Sequence, residues 1–130
     1  MIVVDASAIV DVLAPRAPDP VLRERVLTGS LHAPYLIDIE LTNALRRLVA
    51  RRLLSADRAA DARDDYAALR ITRYPHRPLL DRVWELRDSL TPYEAAYVAL
   101  AELIGAPLVT CDVRLARARG HAAQVEVFRP

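Results

Sequence analysis

Two aspartates stand where a hydrophobic run stops: Asp5 follows Ile2-Val3-Val4, and Asp112 follows Pro107-Leu-Val-Thr-Cys. An acid directly after a buried strand is costly to desolvate alone, and several acids converging there repel one another unless cations compensate them. Oxygen-rich sites of this kind suit Mg²⁺ or Mn²⁺. Such ions lower the pKa of bound water and neutralise charge at a phosphate, so carboxylates and metal alone are enough for phosphodiester hydrolysis. Glu40 and Glu94 stand at helix starts and have local readings of their own. Glu40 falls in the first turn of a helix, where it complements the dipole. Glu94 completes a capping box with Thr91, a role partly exclusive of metal binding. Ser7, Asn43 and Thr110 are polar residues that read equally as cap, helix and strand positions or as neighbours of a site.

These side chains need elements to position them. Ile2-Val3-Val4 reads as a buried strand ending at Asp5, with Ser7 as the N-cap of a helix running to about Leu13. The Pro15–Pro20 stretch is a loop, Pro20 opens a short helix, Gly29 closes it, and the chain crosses back through His32-Ala-Pro-Tyr-Leu. From about Asp38, the better cap and the weaker ligand, Leu41, Ala44, Leu45 and Leu48 recur at helical spacing, while Glu40, Asn43 and Arg47 share another face. Ser55 to about Leu69 reads as a charged surface helix, Ile71-Thr72 as a short edge strand, and Pro78 to Leu86 as a helix. Thr91-Pro-Tyr-Glu94 starts a helix that Gly105 ends. Pro107 to Cys111 is then a strand, a helix runs from Asp112 to about Ala118, and Val125–Phe128 is the last strand. Strands alternating with helices imply a parallel sheet covered on both faces. In such a sheet ligands bind beyond the carboxyl ends of the strands, where Asp5 and Asp112 sit.

The chain of 130 residues has the size of one domain and is 53% hydrophobic and 27% charged, a globular composition. Its 18 basic residues, all Arg, nearly balance 17 acids, so bulk charge identifies no partner. The absence of Lys excludes a phosphate-binding GxxxxGK[ST] loop and Schiff-base catalysis. Cys111 is the only cysteine, which excludes an internal disulfide, fits a reducing cytoplasm, and makes a Cys-based zinc site implausible; it reads as a buried strand residue. His32, His76 and His121 lack ligand spacing and read as surface or turn positions. No GxSxG elbow supports a serine nucleophile, and no run is long enough to span a membrane. Aspartyl-phosphate chemistry after the first strand fails too, because Ser7 stands where a second acid is required and the downstream Lys is missing.

Four segments, Val4-Asp5-Ala6-Ser7-Ala8, Glu40-Leu-Thr-Asn43-Ala-Leu, Thr91-Pro-Tyr-Glu94-Ala-Ala-Tyr-Val-Ala-Leu-Ala and Leu108-Val-Thr110-Cys-Asp112-Val-Arg-Leu, resemble in order and spacing a PIN-domain ribonuclease of the VapC toxin type. The resemblance covers essentially the whole chain and implies a single PIN domain over residues 1–130, a three-layer α/β fold with a mostly parallel central sheet. It implies a metal-dependent endoribonuclease toxin in which Asp5, Glu40, Glu94 and Asp112 hold Mg²⁺, or Mn²⁺, while Ser7, Asn43 and Thr110 support them. The family's third acid is more often Asp, and Arg114 lies where some relatives carry another acid. The implied partners are a VapB-like antitoxin, an RNA substrate and a second copy of the chain, for which apolar positions between Leu53 and Leu69 look exposed. Arg46, Arg47, Arg114 and Arg117 begin near the acids and are candidates to flank an RNA path, phosphate contacts positioning an unpaired strand. The alternative is a PIN-like module that binds RNA or protein without cutting.

Overall fold

The computed structural model describes residues 1–128. Five strands, β1 (Ile2–Val4), β2 (Leu31–Pro34), β3 (Ile71–Tyr74), β4 (Leu108–Thr110) and β5 (Val125–Val127), form one sheet in the order β3-β2-β1-β4-β5. Every pairing is parallel, as the alternation of strands and helices implies. Side chains alternate across a strand, yet Ile2, Val3 and Val4 are all fully buried, which requires cover on both faces and makes the fold three-layered. The helices α1 (Ala6–Leu13), α2 (Pro20–Thr28), α3 (Ile37–Ala50) and α4 (Ala56–Ala68) pack around α1. A second set, α5 (Leu80–Glu85) and α6 (Pro92–Ile104), packs together, with α6 against β1, β2 and β4. The short α7 (Val113–Arg117) follows β4 and touches β5.

The strand order fixes where a site can form. The chain builds outward from β1 to β2 and β3, then returns to add β4 and β5 on the other side. The switch therefore falls between β1 and β4, which bond in the register Val3 with Leu108 and Val4 with Val109. Loops leaving two adjacent strands in opposite directions open a crevice at their carboxyl ends.

Local signals decide most helix boundaries. Asp19 accepts from the Val21 and Leu22 amides to start α2 behind Pro20, and Ser55 caps α4. Thr91 and Glu94 form the reciprocal capping box of α6, which Gly105 terminates at φ +66°, a left-handed conformation that glycine adopts without steric cost.

Several expectations are corrected. Ser7 does not cap α1: the helix already starts at Ala6, and Asp5 is the cap, accepting from the Ala8 amide. Asp38 does not cap α3, whose N-cap is Leu36 without a side-chain bond. Asp38 instead accepts from both Arg73 and Tyr66, tying the first turn of α3 to β3 and α4. The segment beginning at Pro78 divides into a 3₁₀ turn, Arg77–Leu79, followed by α5. His32 is buried in β2, where its ring bonds Ser30 and the Tyr74 hydroxyl, so it is neither a surface nor a turn residue. Cys111 lies just past β4 and is half-buried. Between Leu53 and Leu69 only Leu53 is a widely exposed large apolar residue, at 70%, because the inward face of α4 buries Ala59 and Ala62 and Leu54 and Leu69 pack against the core. Among the described residues no helix is long and apolar enough to cross a membrane.

Candidate active site

Asp5 is the fixed point of the crevice. As the residue between β1 and α1 it must leave the sheet and cap the helix at once, and it is only 7% exposed. Its Oδ1 accepts from the Ala8 amide at 3.0 Å and from the Ser7 hydroxyl at 2.7 Å, and its Oδ2 accepts from the Thr110 hydroxyl. Ser7 and Thr110 also stitch the two strand ends together. Ser7 Oγ accepts from the Cys111 amide at 3.0 Å, and Thr110 Oγ1 accepts from the Asp112 amide at 2.9 Å. The two hydroxyls thus orient Asp5 and register the end of β4 against the start of α1. Burial is the main influence on Asp5 and raises its pKa above 3.8; the three hydrogen bonds oppose this and the Asp112 charge adds to it.

Three further acids enter from separate elements. Glu40, in the first turn of α3, accepts through Oε1 from the Tyr97 hydroxyl at 2.6 Å. Tyr97 lies on α6, 2% exposed, and burial and the Glu40 carboxylate both hold its phenol protonated. Burial likewise raises the pKa of Glu40, the Tyr97 bond lowers it, and the charges of Asp5 and Glu94 raise it further. Glu94 divides its two oxygens: Oε1 accepts from the Thr91 amide at 2.9 Å, and Oε2 meets Arg114 at 3.1 Å. Asp112 caps α7 by accepting from the Arg114 amide at 2.9 Å, and its Oδ2 pairs with the Arg114 guanidinium at 2.7 Å, which holds its pKa below 3.8.

All four acids line one cavity of about 330 Å³, with Ser7, Asn43, Tyr97, Arg47 and Arg114 also in its wall. Thr110 stands behind Asp5 rather than in the wall. Of the basic residues expected near the acids, Arg47 and Arg114 reach the cavity and Arg46 and Arg117 do not; the Arg46 guanidinium turns to Asn43 Oδ1 instead. Tyr97 escaped sequence reasoning because it sits among the apolar residues of α6, and only its three-residue spacing from Glu94 hinted at a shared face. A larger cavity of about 510 Å³, bounded by the end of α1, the Pro15–Asp19 loop and Leu53, has a mostly apolar wall and includes none of the four acids.

The donor set suits a hard divalent cation in kind: four carboxylates from four elements face one small space, and two of them, Asp5 and Glu40, are pushed toward protonation by burial and by the other acids. The shell is not ready-made. Among the described residues no three His, Cys, Asp or Glu side chains converge as a metal-holding group. Tyr97, Thr91 and Arg114 each hold oxygens that such a group would need.

Comparison with known proteins places the chain. A family model described as PIN domain matches residues 2–121. The chain is 38% identical over 127 residues to Ribonuclease VapC12 of Mycobacterium tuberculosis, covering 98% of each. It is 44% identical over 115 residues to Ribonuclease VapC9 of the same organism, covering 88% of each, and 41% identical over 129 residues to Ribonuclease VapC1, covering 98% of this chain and 97% of that one. The crystal structure of PAE2754 from Pyrobaculum aerophilum superposes with a TM-score of 0.64 at 28% identity, over 95% of this chain and 81% of that one. With the parallel sheet, the acids at its switch point and matches of this extent, the chain belongs to the PIN domain family, in its VapC ribonuclease group.

Proposed function

We propose that the protein is a metal-dependent endoribonuclease toxin, hydrolysing RNA phosphodiesters at the cavity between β1 and β4. The observation that carries this reading is the meeting of Asp5, Glu40, Glu94 and Asp112 in one cavity, in a chain so similar to proteins named VapC ribonucleases. Those four carboxylates would hold Mg²⁺ or Mn²⁺. When bound, the cation would supply a water activated at neutral pH and a counter-charge for the phosphate. The chain's own residues do the positioning. Ser7, Thr110 and the Ala8 amide fix Asp5 in a single orientation, and the Tyr97 hydroxyl anchors one oxygen of Glu40. Asn43 and Arg47, exposed on α3 and lining the same cavity, stand where a phosphate and an unpaired strand would pass. The partners in this reading are RNA, a VapB-like antitoxin whose basic end would neutralise the acids, and a second copy of the chain.

The competing reading, a PIN-like module that binds without cutting, draws support from the Arg114 ion pairs that engage Glu94 and Asp112. The two separate when the purified, antitoxin-free protein is incubated with a pool of structured RNAs under Mg²⁺, Mn²⁺ or chelator, beside an Asp5→Ala variant. Metal-dependent cleavage that the variant loses supports the nuclease. RNA or partner binding without a cut in any metal supports the inert module.

A further inference from the structure

Arg114 makes the only ion pairs to the cavity's acids among the described residues. Its Nη2 lies 2.7 Å from Asp112 Oδ2 and 3.1 Å from Glu94 Oε2, and its Nε donates to both Asp112 oxygens at 3.1 and 3.2 Å. One guanidinium therefore bridges an acid at the start of α6 and an acid at the start of α7. It does so from the solvent side, with its side chain 74% exposed. The helix beneath is held independently, by the Asp112 cap on the Arg114 amide and by buried Leu115. The guanidinium can consequently leave by side-chain rotation alone. Among the described residues Arg47, the other cation of the wall, makes no ion pair with these acids.

The oxygens that Arg114 holds are those a divalent cation would need from Glu94 and Asp112. A guanidinium and a metal ion on the same oxygens would stand a few ångströms apart, where like charges repel strongly in a half-buried site. Resting on the metal-dependent reading above, we propose that Arg114 is a built-in counter-ion that occupies the cation position in the metal-free protein, and that metal binding is an exchange in which Arg114 releases Glu94 and Asp112. The exchange sets the threshold of divalent cation at which the site becomes competent, and Arg114 tunes it without itself holding the metal.

The test is a titration of Mn²⁺ into metal-free protein, following the electron paramagnetic resonance signal of the free ion, for the wild type, Arg114→Gln, Arg47→Gln and Asp5→Asn. Exchange predicts that Arg114→Gln binds Mn²⁺ about five- to tenfold more tightly, the scale of two partly exposed ion pairs released. Arg47→Gln removes the same charge from the same wall without an ion pair and shifts the affinity less than about twofold. In parallel, the Arg114 Nε–H resonance of the wild type moves on adding diamagnetic Mg²⁺ while that of Arg47 stays. An affinity of Arg114→Gln within twofold of the wild type, or weaker, overturns the exchange while leaving the metal site intact. Failure of every chain, the wild type included, to bind Mn²⁺ overturns the metal-dependent reading and the exchange with it. Binding that Asp5→Asn leaves untouched places the ion elsewhere and overturns the exchange as well.

Discussion

Replacing Asp5 by Asn should stabilise the metal-free protein while removing its metal response. The change is nearly isosteric. The new carboxamide keeps an oxygen for the Ala8 amide and the Ser7 hydroxyl, and its nitrogen would face Thr110 Oγ1, which can reverse roles and accept, since a hydroxyl has a second lone pair beyond the one that takes the Asp112 amide. The gain comes from the charge. Because burial raises the pKa of Asp5 above 3.8, the folded chain binds this proton more tightly than the unfolded one, and the stability that the protonated form contributes is lost as pH rises through the raised pKa. Above its raised pKa the wild type bears a buried carboxylate beside Asp112, and the variant does not. Neutralising such a charge at a functional site should return about 1–2 kcal/mol, a rise in Tm of about 3–8 °C for a chain of this length. The advantage should shrink as pH falls through the raised pKa, where Asp5 of the folded chain takes up its proton. Saturating Mn²⁺ should reverse the order, since a ligand at a hundred times its Kd adds about 2.7 kcal/mol to the wild type and little to a variant lacking the central carboxylate. Melting curves by circular dichroism from pH 4 to 8, in chelator and in Mn²⁺, give all these quantities. A lower Tm for the variant in chelator at pH 8, or a difference that does not change with pH, would refute the reasoning.

Three other substitutions separate roles that the geometry superimposes. Tyr97→Phe removes the 2.6 Å bond to Glu40 and should slow metal-supported RNA cleavage about tenfold at a cost of about 1 kcal/mol in stability; an unchanged single-turnover rate would deny Tyr97 its positioning role. Glu94→Gln keeps an acceptor for the Thr91 amide, so melting should move by less than about 0.5 kcal/mol while cleavage falls about a hundredfold or more. Equal losses in both measurements would make Glu94 a cap and nothing else. Gly105→Ala meets no atom within 4 Å but must hold φ at +66°, so it should lower stability by about 1 kcal/mol through backbone conformation alone and leave the Mn²⁺ affinity unchanged; calorimetric unfolding and the Mn²⁺ titration check both.

What the sequence made legible follows from the range of the interaction behind each signal. Pro20, Ser55, the Thr91–Glu94 pair and Gly105 act within one helical turn, and each marks a real boundary. Asp5 and Asp112 were readable because both terminate apolar strands, a pattern visible in one dimension. Ser7 reads as the cap of α1 because two residues able to cap stand close together, but its oxygen accepts from the Cys111 amide past the neighbouring strand, 104 residues later. Asp38 looked like a cap for the same local reason, until Arg73 and Tyr66 claimed it from 35 and 28 residues away. Tyr97 was hidden because a phenol in an apolar stretch reads as core, and its partner Glu40 lies 57 residues earlier. The bridge from Arg114 to Glu94 had no sequence signal, since proximity between α6 and α7 exists only once β4 is in place.

The central position of β1 has a consequence for the order of events during synthesis. Asp5 is made well before its partner: the Thr110 hydroxyl that holds it arrives 105 residues later, and β1 has no neighbour on that side until Leu108–Thr110 is available. Closing a contact of such separation is slow relative to forming local helices. A nascent chain that has completed α6 but not β4 holds three of the four acids and lacks the strand that registers them. The cavity at the ends of β1 and β4 therefore closes only after β4 has been made. Premature termination anywhere before Thr110 yields a fragment that lacks Asp112 and the hydroxyl that holds Asp5, so the four acids never meet in it.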